Sequence, residues 1–422
     1  MTIESSGTIG VNGVCTGGSN ARNQIGAEVG DTAQTALNLN CSTLRTLASK
    51  TSGTIHMSDF YGKGSRHTVS YVFNSTNVAS AAVDISSNSA PSGGYKCGCY
   101  VSGKSCVFVT VNSGVLLYGC ASGSAGLTIT GGASGDHLKI INNGTIMGRG
   151  GDGGRATWNP YTNIGQVYPG VPGATGLCYS GLNAGVTIDY IQNNGWIVGG
   201  GGGGAGTFIC CTQGCSCSSN VCCYKAAIGG GGGAGGGNGG TADCTDVFYN
   251  GGAGGTARTA GSDSPSNTPP GYVGYYGHGG GGGGRVIPPC SATKGRAYIL
   301  YPGPCSVVKA GGGGAGGSGG SSAWVWRASP SYFVGIALIG ACGGAAGGAA
   351  KNWGQYYNCC ACYSRSIRGA GGGGGYGAHG GYAPGFDCAC YVQGGTGGAA
   401  VKSNGTVVWK CGATGNIYGS VS

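Results

Sequence analysis

Six consecutive glycines, Gly199–Gly204, followed by Ala205 and Gly206, constrain this chain more than any other stretch. Comparable runs recur at Gly229–Gly240, Gly251–Gly255, Gly279–Gly284, Gly311–Gly320, Gly343–Gly348, Gly371–Gly375 and Gly394–Gly398, and a charged version, Gly148–Gly154, precedes them. Glycine loses more conformational freedom on ordering than any other residue. A run this dense is therefore either a linker or part of a packing that only a bare backbone allows. The intervening segments favour packing. Ala156–Val186 carries Trp158, Tyr161, Tyr168 and Tyr179; Ser321–Cys342 carries Trp324, Trp326, Tyr332 and Phe333; Lys351–Arg368 carries Trp353, Tyr356, Tyr357 and Tyr363. Flexible spacers give no reason for aromatic-rich loops between them. With 24 tyrosines, 6 tryptophans and 23 cysteines against 22 basic and 12 acidic residues, the chain has much to bury and little charge to keep it a solvated coil.

The conformation that suits such runs is the extended left-handed helix with three residues per turn, about 3.1 Å rise and no internal hydrogen bonds. When every residue is glycine all three faces are bare. Neighbouring helices then exchange N–H···O=C bonds laterally, assisted by Cα–H···O contacts. Runs of six to ten residues span roughly 20–30 Å. They lack the Gly-X-Y period of collagen, and the unequal loops argue against a silk-like polymer. The sequence thus predicts stacked polyglycine-II helices, with consecutive loops emerging at alternate ends.

Three regions are expected. Residues 1–64 hold few aromatics, and Leu44, Leu47 and Ala48 fall at helical spacing after Ser42 or Thr43 as a cap. Ser52–Gly62 reads as a short strand ending in a turn. Residues 65–130 read as a small β-sandwich, because Thr68–Phe73, Cys106–Val111 and Val115–Tyr118 are rich in β-branched and aromatic residues. Residues 131–422 form the glycine-rich domain. Within it, Lys139–Met147 and Asp189–Val198 share an apolar–Asn-Gly–apolar pattern, with a fainter copy at Val401–Trp409. That pattern marks a tight hairpin or a solenoid corner. The expected fold class is mostly β and irregular.

The net charge of +10 favours acidic partners, but the basic residues are scattered, which argues against specific nucleic-acid binding. Met1–Ser5 has neither the basic start nor the apolar run of a secretory signal. No uncharged apolar stretch reaches the roughly 18 residues of a membrane span; Tyr332–Ala341 comes nearest. Nevertheless, 23 cysteines point to an oxidising final environment, which fits a protein made in the cytosol and released by lysis.

Cysteines cluster as Cys97, Cys99, Cys106 and Cys120, then Cys210, Cys211, Cys215, Cys217, Cys222 and Cys223, then Cys359, Cys360 and Cys362, then Cys388 and Cys390. Their spacing fits structural zinc poorly. Disulfides that brace the loops, at roughly 2–4 kcal/mol each, are expected in preference to metal. The odd total leaves one thiol free or joined to another chain. No catalytic constellation is present and no cofactor is expected. The five histidines, His56, His67, His137, His278 and His379, are dispersed. Asp243 and Asp246 are the only close carboxylate pair in the loops, and they read as turn or surface residues rather than as the acid–base pair of a glycan hydrolase.

Leu44-Arg-Thr-Leu-Ala48 followed by Ser52–Lys63 resembles the N-terminal region of tailed-bacteriophage tail-fibre and baseplate-associated proteins. Ile-Asn-Asn-Gly-Thr-Ile at 141–146 before a glycine run, and the ending Val401–Ser422 with Gly-Asn-Ile-Tyr-Gly-Ser at 415–420, resemble the glycine-rich phage adhesins of polyglycine-II sandwich type. The resemblance implies a non-enzymatic virion protein, homo-oligomeric and trimeric by family pattern. Its N-terminal region, through Leu44, Leu47, Ile55, Met57, Phe60 and Tyr61, would dock on other tail or baseplate proteins. Loops bearing Trp158, Tyr161, Trp324, Trp326, Tyr332, Trp353, Tyr356 and Tyr357 would meet a host surface glycan or protein. The cysteines depart from the family pattern. A fibre or collar element without receptor binding, and a disulfide-braced ice-binding protein, are the alternatives.

Overall fold

A computed structural model describes residues 45, 48–49, 52–55, 59, 66–159, 164–210, 225–244, 247–259, 261–262, 275–278, 282–285, 298–299, 333–334, 370–384, 391–410 and 416–422. Met1–Thr68 with Lys104–Cys106 make one compact unit, and Val69–Gly103 with Val107–Ser422 another. In the first, Arg45 sits in a helical turn and its guanidinium donates to the Gly53 carbonyl at 3.1 Å. No helix among the described residues is long and apolar enough to cross a membrane.

The chain begins its regular structure with β1 (His67–Phe73), β2 (Asn77–Ala79), β3 (Ala81–Asp84), β4 (Gly94–Cys97), β5 (Ser105–Val111), β6 (Leu116–Tyr118), β7 (Leu127–Gly131), β8 (His137–Asn142) and β9 (Thr145–Met147). A glycine segment, 148–154, then leads to β10 (Ala156–Asn159) and β11 (Ile164–Val167). The chain returns through 168–176 to β12 (Leu177–Leu182), β13 (Thr187–Asn193) and β14 (Trp196–Val198). Segment 199–206 goes out again to β15 (Thr207–Cys210), β16 (Lys225–Ile228), β17 (Ala242–Cys244), β18 (Val247–Tyr249) and β19 (Tyr275–His278). After β20 (Tyr298–Ile299) and β21 (Phe333–Val334) come β22 (Ala383–Pro384), β23 (Tyr391–Val392), β24 (Val401–Lys402) and β25 (Ile417–Tyr418).

The strands of residues 66–147 do not make a sandwich. They wind into a three-sided coil whose sides are sheets of order β13-β8-β5-β1-β4, β2-β6-β9-β14-β25 and β24-β12-β7-β3. Successive turns stack in parallel: β2 on β6 on β9 on β14 on β25, and β3 on β7 on β12 on β24. A last turn is completed by the parallel bridges of Ile191 to Trp409 and of Val401 to Val421. A sandwich and a coil both bury one face of each strand, so the alternation of β5, with Val107, Val109 and Val111 inward, fits either. The sheets run on past residue 130 because later strands continue the same stack.

One core fills the coil, including Val69, Tyr71, Phe73, Val109, Ile129, Ile140, Leu177, Ile191 and Val401. Burying each such side chain stabilises the fold by about 1.5–3 kcal/mol. The Asn-Gly repeats are its corners. Asn142 and Asn193 sit buried one above the other, and Asn143 and Asn194 repeat the contact at 2.7 Å. Outside, Lys139 Nζ lies 4.9 Å from the Phe108 ring centre and 5.9 Å from that of Tyr190, with Lys410 Nζ 5.1 Å from Tyr190. Rings and ammonium groups thus alternate across four turns.

The glycine segments leave this coil after β9 and after β14 and return at β12 and β24. Segment 199–206 is their centre. Its N–H groups rotate through three directions with a period of three residues. Those of Gly200, Gly203 and Gly206 donate to Ala174, Val171 and Tyr168; those of Gly201 and Gly204 to Ala234 and Gly231; those of Gly202 and Ala205 to Ala378 and Gly381. Its carbonyls accept from Gly151 and Gly154, from Gly371, Gly374 and Gly377, and from Gly395 and Gly398, while Gly148 donates to Val198 just before it. Six segments therefore surround it, namely 148–154, 168–176, 229–234, 370–377, 378–381 and 393–400, and none of these bonds is internal. None of Gly199–Gly204 has a positive φ. A Cβ on Gly201 would overlap the Gly374 carbonyl, one on Gly200 that of Arg149, and one on Gly202 that of Gly395.

Bundle and coil meet over Leu116, Met147, Val198, Ala234 and Tyr376. Arg285, only 5 % exposed, pins the contact. Its guanidinium donates to the Gly235 and Gly119 carbonyls, each at 2.8 Å, and lies 4.5 Å over the Tyr118 ring. Burial pulls its pKa down from the usual guanidinium value.

Candidate functional site

Direction along each segment places the chain's connections. Segments 148–154, 199–206 and 378–381 run away from the coil, and each ends in a strand: β10, β15 and β22 respectively. Those strands turn back as the antiparallel pairs β10–β11, β15–β16 and β22–β23, and β17–β18 forms a fourth such pair. The connections that these pairs carry, 160–163, 211–224, 245–246 and 385–390, all join strand ends on the side away from the coil. On the coil side the described turns are short: Gly235 and Gly236 take positive φ, as do Arg258 and Gly377. Loops do alternate between ends, but not evenly. Those carried by the four antiparallel pairs share the distal end.

These distal strands neighbour each other. β10 pairs in parallel with β17 and β16 with β19, while β10 and β11 also adjoin β15. The result is a cap on the bundle's far end built from a four-stranded and a three-stranded sheet, with the two-stranded β22–β23 sheet on the same side. Trp158 lies on β10 within that cap, its backbone in register with Gly165 and Cys244. Tyr161 falls on the connection between β10 and β11, outside the described residues. Trp324, Trp326, Tyr332, Trp353, Tyr356 and Tyr357 also lie outside them, as do Leu44, Leu47, Met57, Phe60 and Tyr61; Ile55 is half-buried.

Other aromatic residues of 156–186 are not loop residues. Tyr179 is buried inside the coil on β12, where burial pushes its phenol pKa up. Tyr168, 41 % exposed, begins segment 168–176, and its hydroxyl donates to Gln166 Oε1 at 2.7 Å. That segment escaped the sequence reading because only Gly170, Gly173 and Gly176 mark it. The signal was the triplet Tyr-Pro-Gly, Val-Pro-Gly, Ala-Thr-Gly.

Of the close acidic pair, Asp246 lies outside the described residues. Asp243 is ion-paired with Arg155 at 3.1 Å, a partly exposed pair worth roughly 0–1 kcal/mol. Among the described residues no cluster of three metal-capable side chains occurs. Nor do the expected disulfides of the β region form. Cys97, Cys99 and Cys120 are exposed free thiols and Cys106 and Cys178 are half-buried free thiols. The coil has a complete apolar core and so lacks the deficit that crosslinks relieve. Cys210 ends β15, and Cys211, Cys215, Cys217, Cys222, Cys223, Cys359, Cys360, Cys362, Cys388 and Cys390 lie outside the described residues.

A family model matches the chain. The model of the phage tail fibre adhesin Gp38 covers residues 74–286, half of the chain. The chain belongs to that adhesin family. This chain is a phage tail-fibre adhesin. A solved structure, the gp37-gp38 adhesin tip complex of the long tail fibre of bacteriophage S16, is similar at 15 % identity and a TM-score of 0.36, over 94 % of this chain and 96 % of that one. No curated protein matches.

Proposed function

We propose that this adhesin binds a host-surface glycan or protein through the distal cap, held on a polyglycine-II bundle that serves as its rigid stem. The carrying observation is that the antiparallel pairs β10–β11, β15–β16, β17–β18 and β22–β23 all carry their connections on the side away from the coil. Threefold rotation of the N–H groups, six neighbours around segment 199–206 and its non-positive φ support the polyglycine-II reading. Loops on such a frame are pre-ordered, which lowers the entropic cost of binding. Trp158 and Tyr161, with Trp324, Trp326, Tyr332, Trp353, Tyr356 and Tyr357, are the contact residues in this reading, since rigid aromatics give large contact area. Leu44, Leu47, Ile55, Met57, Phe60 and Tyr61 attach the chain to other tail proteins, and the loop cysteines brace the cap.

Purified protein should adsorb to host cells and block infection in proportion to its occupancy. Replacing residues 160–163 by a Gly-Ser connection should abolish both effects while leaving the thermal midpoint of the coil in place. Wild-type protein that neither adsorbs nor competes would leave only a structural fibre role.

A further inference from the structure

Segment 168–176 lies on the rim of the bundle, and its three rows of residues have three different fates. Tyr168, Val171 and Ala174 donate their N–H groups to the Arg155, Asp152 and Arg149 carbonyls. Gly170, Gly173 and Gly176 donate to Gln393, Thr396 and Ala399. The third row, at 169, 172 and 175, faces the remaining direction. Two of its three residues are Pro169 and Pro172, which have no N–H to offer.

Side chains follow the same division. The Cβ positions of Gly170 and Gly173 are filled by the carbonyls of Gly203 and Gly200, so glycine is obligatory toward the interior. Over 168–172 the other two rows project outward, whereas Ala174 is buried near the coil. Tyr168 is 41 % and Val171 37 % exposed, and Pro169 and Pro172 are exposed beside them. Over 168–172, each direction in which a further glycine segment could pack is therefore either filled by a side chain or stripped of donors.

An all-glycine rim would present donor rows and bare faces, which is the edge problem of an open β-sheet in another geometry. Its best-fitting partner is another polyglycine segment, supplied by a second copy of this chain. We propose that Tyr168, Pro169, Val171 and Pro172 close the polyglycine bundle against lateral pairing with a second copy. The proposal rests on the polyglycine-II reading of the bundle.

The test compares wild-type protein with the quadruple variant Tyr168→Gly/Pro169→Gly/Val171→Gly/Pro172→Gly and the double variant Pro169→Gly/Pro172→Gly. Light scattering across a concentration series reads mass, and amide hydrogen exchange reads pairing. The quadruple variant should at least about double in mass at high concentration, as pairing of like faces requires. New exchange protection should appear at positions 169 and 172, while amides of Gly199–Gly204 stay protected. The double variant should associate less, because Tyr168 and Val171 still fill one direction. A quadruple variant that keeps wild-type mass with an intact bundle overturns the proposal. So does association without new protection, or unfolding, because these side chains are held to be dispensable to the interior. A Gly201→Ala variant run alongside separates the two readings. If it leaves the bundle unchanged, the polyglycine-II reading has failed, not merely the closure of its rim.

Discussion

Asn142 Nδ2 donates to Asn193 Oδ1 at 2.7 Å, with both side chains buried at the same corner of successive coil turns. The same amide also donates to the Trp196 carbonyl, and its oxygen accepts the Gly144 N–H, each at 3.1 Å. One side chain thus serves its own turn and the next. Asn142→Ala strips these groups of partners inside the coil and should cost about 2–4 kcal/mol. Chemical denaturation would read it as a lower midpoint with an unchanged slope. An effect below about 0.5 kcal/mol, the usual range for surface changes, would mean the stacked amides do not hold the corner.

Gly201→Ala should be far more costly than its single methyl suggests. The added carbon would overlap the Gly374 carbonyl, a backbone atom with no rotamer to move into. The bundle must open locally, so a loss above about 3 kcal/mol is expected. Gly405→Ala is the matched control, because nothing lies within 4 Å of its added carbon. It should change stability by less than about 0.5 kcal/mol. Equal effects from the two variants would show that glycine at 201 is not required by packing.

Much of the bundle is written in the glycine spacing, although the sequence reading used only the density. Segment 199–204 is all glycine because every side is occupied. Segment 148–154 interrupts its glycines every third residue, with Arg149, Asp152 and then Arg155 on the side that no glycine segment fills, where buried Arg149 reaches Asp152 at 2.7 Å. Segment 393–398 does likewise with Gln393 and Thr396, and 168–176 keeps only every third glycine. Glycines per triplet thus track the number of occupied sides. Dense runs were legible as packing; the sparse rim was not, because one glycine in three also reads as an ordinary turn-rich loop. The coil failed differently. Alternation fixed which residues of β1 and β5 face inward but not whether strands pair within a sheet or stack as turns. Only the Asn-Gly repeat carried that information, and it fits a hairpin as well as a corner. Trp158 could be placed at the distal end only once strand direction was known.

The thiols of the coil should behave as free cysteines. Cys97, Cys99 and Cys120 are exposed, so a thiol reagent should label all three in the native state, ahead of half-buried Cys106 and Cys178. A reductant should leave the unfolding of the coil unmoved, whatever it does to the distal loops. Mass spectrometry of labelled peptides reads this directly. Native protein in which peptides of Cys97, Cys99 and Cys120 stay unlabelled until reduction would restore the disulfide expectation for this region.

The coil should be sensitive to alkali through Tyr71. Its side chain is fully buried in the core, and its hydroxyl donates to the Ser87 carbonyl at 2.5 Å. Burial first, and the nearby Asp84 carboxylate second, push its pKa from 10.0 to about 12. The folded pKa lies above the unfolded one, so the native state favours the protonated phenol. That contribution is fully present below pH 10, declines as pH rises and is lost through about pH 12. The separation corresponds to about 3 kcal/mol at 1.36 kcal/mol per unit. Tyr71→Phe removes the titration and also the hydroxyl's hydrogen bond. The variant should therefore be somewhat less stable at neutral pH, by about 1 kcal/mol, yet lose less on going from pH 9 to pH 11. Parallel stability profiles for the two proteins across that interval would show that Tyr71 does not set the alkaline limit.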